Sequence, residues 1–491
     1  MANIDVIDPL TGSKLHEIES HSATDVALRF LEASKAQKVW GATPARERAK
    51  IASRIAAAVA TQQEQLMDVL QRETGKSRAH AFEEVTGALS AITYYAKVTP
   101  KAMRRNKVKA GVPFMLSAYV EPAPVGVVGI ITPWNYPLAL TMMDVIPALM
   151  AGNAVVQKAD NQTALTVQLA RDLAVGAGVP SEVWTVVHGD PTEVGNAVTD
   201  NADYVAFTGS TPTGKLVAQR AASRLIGYSL ELGGKNPMIV LPGADLEKAA
   251  ESAIGAAFGN AGQLCVSIER LYVPNHALKN FEQILKRRVE TLTLGVSNSF
   301  DFDLGALSSS NQLSRVSQFV ERAVAEGARV VTGGRVMDEI GPNFYAPTVL
   351  TDIPLGAEIL HKEVFGPVIA LVGYSSLDEA VELANATEFG LNASVFGERK
   401  LALKTASRLM AGSVNVNEGY RATMASMAAP MGGMKQSGMG RRSGINGLLR
   451  FTESRTIGVA NKSPIGLPTR AKQYKFTAPV MTKLVQLMGK L

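Results

Sequence analysis

The chain has 491 residues, 46% hydrophobic and 19% charged, enough for two or three domains with ample core. One cysteine excludes an internal disulfide, six scattered histidines offer no metal-ligand spacing, and no apolar run reaches the ~18 residues of a membrane span. The net charge of +6 is confined to the end: residues 456–491 carry six basic and no acidic side chains, leaving 44 of each sign elsewhere, so no nucleic-acid partner is expected.

The N-terminal text, MANIDVIDPLTG, lacks the basic and apolar regions of a secretory signal, so a cytoplasmic location is expected. Residues 23–99 read as three long helical segments rich in Ala, Glu, Gln and Leu. The clearest runs over residues 45–74, with Gly75 as its stop. Residues 100–124 are basic and bounded by prolines, and predict an extended, solvent-facing stretch.

From residue 125 the rhythm changes. Strands are predicted over 125–131, 154–157, 183–187, 204–207 and 228–232, with helices over 138–150, 163–177 and 213–224. Short apolar strands alternating with helices imply βαβ units and a parallel sheet buried on both faces. The alternation restarts at residues 237–240 and runs to about residue 416, which predicts two α/β domains joined near residues 232–237. Beyond Gly412 the chain is glycine-rich and predicts tight loops.

Four places carry chemistry. Gly209-Ser-Thr-Pro-Thr-Gly214-Lys215 follows an apolar strand and opens a helix, which presents free N–H groups to a phosphate. It nearly matches a nucleoside-triphosphate loop but has Leu216 where the metal-binding hydroxyl belongs, which disfavours a nucleotide switch and leaves a dinucleotide pyrophosphate or a plain turn. Cys265 stands in Phe258-Gly-Asn-Ala-Gly-Gln-Leu-Cys-Val. A lone cysteine is usually a small buried hydrophobe, but Gly259, Ala261 and Gly262 leave room for a substrate to reach a thiolate. Glu231, at the end of an apolar strand, reads either as an ion pair with Lys235 or as a base with a raised pKa. Asn135, between two prolines, reads either as a turn former or as an oxyanion donor.

Taken together and in order, these sites make the chain resemble the aldehyde dehydrogenase superfamily over nearly its whole length. The carrying motifs are Pro133-Trp-Asn-Tyr-Pro137, Gly152-Asn-Ala-Val-Val-Gln-Lys158, Phe207-Thr-Gly-Ser-Thr211, Glu231-Leu-Gly-Gly-Lys-Asn-Pro237, Gly262-Gln-Leu-Cys265, Glu363-Val-Phe-Gly-Pro367 and Pro430-Met-Gly-Gly-Met-Lys-Gln-Ser-Gly438. The resemblance implies an α/β fold with a Rossmann-type cofactor domain, an α/β catalytic domain and a small β oligomerisation arm. On this basis residues 1–105 and 125–232 bind the dinucleotide, 233–430 form the catalytic domain, 106–124 and 449–461 are oligomerisation segments, and 462–491 are a basic C-terminal tail. A homodimer or homotetramer follows by resemblance. Val480, Leu484, Leu487 and Leu491 predict an apolar stripe in the tail, best read as packing on a neighbouring subunit or surface.

The resemblance also implies roles. Cys265 attacks the aldehyde, Asn135 and the Cys265 N–H hold the oxyanion, hydride leaves for the nicotinamide, and Glu231 activates water to hydrolyse the thioester. Lys158 holds the adenine ribose, Ser210 the pyrophosphate and Glu363 the nicotinamide ribose, with Phe365 beside the nicotinamide ring. Trp134, Asn161, Gly189, Gly209 and Gly214 complete the cofactor set. No metal is implied. Asn161 stands where the family usually has an NAD-selecting glutamate, so NADP is the expected cofactor, with NAD also accepted; Asp160 would oppose this if it turned inward.

The whole chain looks most like bacterial succinate-semialdehyde dehydrogenases of a second, actinobacterial type, which implies oxidation of succinate semialdehyde to succinate. Better-known members clamp the distal carboxylate with two arginines, and here those positions are Met143 and Gly259. A pocket lined by Met142, Met143, Gly259 and Tyr420 fits uncharged aliphatic or aromatic aldehydes instead, unless Arg421 supplies a replacement cation. A catalytically inactive structural relative is the alternative of another class; such proteins typically lose the nucleophile or the base, and Cys265 and Glu231 are both present.

Overall fold

The computed structural model describes residues 3–110, 116–461 and 470–488. The chain divides into two compact units, Met1–Ala102 with Pro124–Thr452, and Met103–Ala123 with Glu453–Leu491.

The first unit opens with an antiparallel hairpin, Asn3–Ile7 and Lys14–Glu19. Four helices follow where three segments are predicted: Ala23–Ala42, Ala45–Thr61, Gln63–Thr74 and Arg78–Ala102. The 45–74 segment breaks at Gln62, whose ψ of 18° leaves the helical basin. Gly75 ends it in the left-handed conformation, φ 73°, as its lack of a Cβ permits. Pro100 is not the start of an extended stretch. It sits in the last turn of Arg78–Ala102, where losing one backbone donor is tolerable because the helix ends two residues later.

Two parallel sheets hold the functional residues. The first has six strands in the order Gly438–Met439, Gly227–Glu231, Tyr204–Thr208, Val127–Ile131, Ala154–Lys158 and Trp184–Val187. All neighbours are parallel except Gly438–Met439, which returns from far along the chain to pair antiparallel with Glu231 and Leu230. The crossover helix Pro137–Ala151 has every residue buried, which explains its uniformly apolar text. A further helix, Pro191–Asn201, connects Trp184–Val187 to Tyr204–Thr208; its polar sequence carries little apolar periodicity. The second sheet has seven strands, Arg329–Thr332, Thr348–Thr351, Val368–Tyr374, Ile268–Pro274, Asn236–Val240, Asn392–Phe396 and Ser413–Val416, parallel except for the first. Lys158, Thr208 and Glu231 all end strands of the first sheet, at the carboxyl edge where open parallel sheets bind ligands.

Asn106–Val108, Leu116–Pro124 and Thr452–Ala460 form a three-stranded sheet, nearly all of it in the second unit, so 106–108 and 116–124 are paired strand while 100–102 end a helix. The tail forms the helix Ala471–Met488, with Val480 and Leu487 exposed. Leu491 and the side chain of Leu484 lie outside the described residues. Among those residues no helix is long and apolar enough to cross a membrane.

Candidate active site

Cys265 is delivered by a strained turn. The helix Leu246–Ala257 stops at Phe258, and Asn260, Ala261 and Gly262 then adopt φ of 51°, 53° and 75°. Two non-glycine residues there cost about 1–2 kcal/mol each, and hydrogen bonds hold them. The Asn260 side chain donates to the Asn135 carbonyl at 3.1 Å and the Gln263 carbonyl at 3.3 Å. The Asn236 amide donates to the carbonyls of Cys265 at 2.8 Å and Ser267 at 2.7 Å. A Cβ on Gly262 would run into the Gly366 carbonyl, so this glycine is required by close approach as well as by φ. Cys265 emerges half-buried into a cavity of about 500 Å³. Burial pushes its thiol up to about 12, with Glu231 and Glu363 adding to the rise and Arg442 opposing it.

Asn135 lines the same cavity. Its amide donates to the Gln263 carbonyl at 3.0 Å, two residues before the nucleophile, and its second N–H is left for an oxyanion. A buried ion pair fixes this turn. Lys76 donates to Glu84 and, at 2.9 Å, to the Asn135 carbonyl. Glu84 accepts from the N–H groups of Leu138 at 2.7 Å and Ala139 at 3.2 Å, at the start of the buried helix. Nothing local marks Lys76 or Glu84 in the sequence; Lys76 follows the Gly75 stop and Glu84 sits in ordinary-looking helical text.

Glu231 is buried, and neither carboxylate oxygen has a hydrogen-bond partner among the described residues. Lys235 does not pair with it: that ammonium is bound to Glu269, which also accepts from the N–H groups of Val364 and Phe365, at 3.0 Å each. Burial pushes the Glu231 carboxyl up to about 7, against the pull of Arg442 and Arg450. A carboxyl at that level is matched to proton transfer near neutrality.

A second set of predicted residues gathers at the carboxyl edge of the first sheet. Lys158 is buried and donates to the Ala159 carbonyl at 3.0 Å; burial holds its ammonium below the usual lysine range, while Asp160 and Asp190 support its charge. Asn161 and Gly189 exchange hydrogen bonds, the amide to the carbonyl at 3.0 Å and the N–H to the side-chain oxygen at 3.2 Å. Asp160 accepts from the Gln162 N–H at 3.0 Å, capping a short turn. Ser210 is the N-cap of the helix Thr211–Ser223. A Cβ on Gly209 would sit 2.7 Å from the Phe207 ring, and one on Gly214 would strike Leu232 at 2.5 Å. The open helix end and its glycines fit a pyrophosphate. Glu363 accepts from the Gly234 N–H at 2.8 Å, and burial pushes it up to about 7. Phe365, at φ 60°, meets Trp134 edge to face at 5.6 Å. Together these residues fit a dinucleotide. Among the described residues no group of acidic, histidine and cysteine side chains is arranged to hold a metal.

The cavity walls at Cys265 are mostly apolar and include Tyr136, Leu140, Met143, Met424, Met427 and Met431. Met142 is a correction: it is fully buried and absent from the lining, because consecutive helical residues point about 100° apart. Gly259 does not line the cavity either; the Tyr420 hydroxyl lies 3.0 Å from where its Cβ would stand. Tyr420 and Arg421 do line it, and both donate to Glu83, at 2.9 and 3.2 Å. Glu83 thus balances the Arg421 charge. His80 is also in the wall, and burial pushes it down to about 4, so it is neutral near pH 7. Arg442 was missed in the sequence; its only local signal is its place in the glycine-rich return segment.

The profile of the aldehyde dehydrogenase family matches residues 1–457. A Mycobacterium ulcerans protein named "Putative succinate-semialdehyde dehydrogenase [NADP(+)] 2" is 44% identical over 485 residues, 98% of this chain and 93% of its own. A 3-sulfolactaldehyde dehydrogenase of Pseudomonas putida is 36% identical, covering 92% of each chain. The crystal structure of a Staphylococcus aureus betaine aldehyde dehydrogenase mutant with NAD+ superposes at a TM-score of 0.90, with 31% identity and 96% of each chain covered. An Escherichia coli structure described as an NADP-dependent enzyme gives the same TM-score at 32% identity, covering 94% of this chain and 95% of its own. The chain belongs to the aldehyde dehydrogenase family.

Proposed function

We propose that this enzyme oxidises succinate semialdehyde to succinate, using NADP in preference to NAD. The observation that carries the chemistry is one cavity that holds Cys265 and Asn135, with the unpartnered Glu231 close enough for its charge to bear on the thiol. The Cys265 thiolate attacks the aldehyde carbon. The oxyanion formed on attack meets the free Asn135 N–H and the Cys265 backbone N–H. Bound NADP supplies the hydride acceptor. Glu231 then takes a proton from the water that hydrolyses the thioester.

The substrate reading draws on the relatives. Succinate semialdehyde and 3-sulfolactaldehyde both carry an anionic group away from the aldehyde, and the cavity wall here holds Arg421. The cofactor reading draws on Asn161, neutral, held by Gly189 and three residues after Lys158. The apolar wall and the Glu83 counter-charge on Arg421 favour a second reading, broad oxidation of uncharged aldehydes. A kinetic panel separates them: succinate semialdehyde, butanal and benzaldehyde, each with NADP and NAD. A kcat/KM for succinate semialdehyde about a hundredfold above butanal, roughly 2.7 kcal/mol, supports the first. Equal or lower values refute it.

We also place the enzyme in the cytoplasm as a homo-oligomer, read from the single cysteine and the three-stranded arm of the second unit. A monomeric mass by light scattering would refute the second part.

A further inference from the structure

Arg442 has no step assigned to it above, yet it lies among the reacting groups. Its backbone is bridged both ways to Met431, at 2.6 and 2.7 Å. Its guanidinium is buried and donates to Asp144 through Nε at 2.9 Å and Nη2 at 2.6 Å, and to the Thr208 hydroxyl at 2.6 Å. Thr208 is the register partner of Glu231 on the adjacent strand, and Arg442 lines the cavity together with Cys265. Arg450 donates to the same Asp144. Two guanidinium groups and one aspartate leave this buried cluster one positive charge in surplus. Glu231 is a buried carboxyl with no hydrogen-bond donor, and its ionisation would make the set neutral.

We propose that Arg442, locked in place by Asp144, is a positioning residue that lends Glu231 the counter-charge it needs to act as a base in a dry pocket. The inference rests on the hydrolytic reading above. In that step the water oxygen bonds to the thioester carbon, Glu231 takes a water proton, the C–S bond breaks and Cys265 leaves as thiolate. An ionised carboxylate is the required acceptor. The charged and titratable groups bearing on Glu231 are Arg441, Arg442 and Arg450 from the return segment, Asp144 from the buried helix and Cys265 from the nucleophile turn. Burial dominates and raises its pKa; Arg442 is the largest influence in the other direction.

The test measures the NADPH burst and the steady-state rate with succinate semialdehyde from pH 5.5 to 9. R442M leaves Asp144 paired with Arg450 and removes the surplus charge, so it is compared with R442K, which keeps the charge, and with D144N/R442M, in which Arg450 keeps a surplus of one. The burst should persist in all three, because it precedes hydrolysis. The acid limb of steady-state turnover should move up by about one pH unit or more in R442M, with less movement in R442K and in the double variant, where one positive charge stays in surplus. An unmoved limb in folded R442M, or a limb that moves as far in R442K, overturns the proposal. Absence of any NADPH from the unaltered enzyme would instead remove the reading beneath it.

Discussion

The side-chain amide of Asn135 donates to the carbonyl of Gln263 at 3.0 Å, across 128 residues of chain. This bond ties Asn135, the proposed oxyanion donor, to the turn that presents Cys265. Asn135→Ala should lower kcat by about a hundredfold to a thousandfold with little change in cofactor affinity. Steady-state kinetics and a fluorescence titration with NADP are the measurements; unchanged kcat would contradict the role.

Cys265→Ala should abolish aldehyde oxidation and leave NADP binding intact. The two sets of residues are carried by different elements, the nucleophile turn and the carboxyl edge of the first sheet. Residual turnover above background would show that another group carries the acyl intermediate.

The Lys76–Glu84 pair predicts a large stability effect. Both side chains are buried, and removing one partner leaves an uncompensated charge, at about 3–5 kcal/mol. Lys76→Met should therefore lower the Tm markedly, and Lys76→Met with Glu84→Leu should recover part of the loss. A single variant as stable as the parent by thermal unfolding would contradict the pair's role.

Glu231 predicts opposite signs for stability and activity. Its folded pKa of about 7 lies above the ordinary 4.5, so the folded state holds a proton that the unfolded chain has released between those values. Its contribution to stability is present below pH 4.5 and is lost as pH rises to about 7, on the order of 3 kcal/mol in all. Glu231→Gln should thus raise the Tm more at pH 8 than at pH 5 while slowing thioester hydrolysis at both. Equal Tm changes at the two pH values would rule out the raised pKa.

Asn161 follows Lys158 by three residues and exchanges hydrogen bonds with Gly189. Asn161→Glu keeps an acceptor for the Gly189 N–H but adds a negative charge that repels a 2′-phosphate. The NADP-to-NAD ratio of kcat/KM should fall by at least about tenfold, roughly 1.4 kcal/mol. An unchanged ratio would place the phosphate elsewhere.

The chain's text by itself determined the parallel α/β architecture and singled out Cys265, Asn135 and Glu231 as candidates. Both were legible because they rest on local patterns: short apolar strands before glycine turns, and a nucleophile flanked by small residues. Local text could not decide charge. Lys235, four residues from Glu231, pairs with Glu269, while Asp144 and Arg442, 298 residues apart, meet next to Thr208, the register partner of Glu231. Arg421 was legible as a cation, but its counter-charge Glu83 lies 338 residues away. Burial and long-range ion pairs set the protonation of each reacting group, and only the tertiary packing brings those partners together.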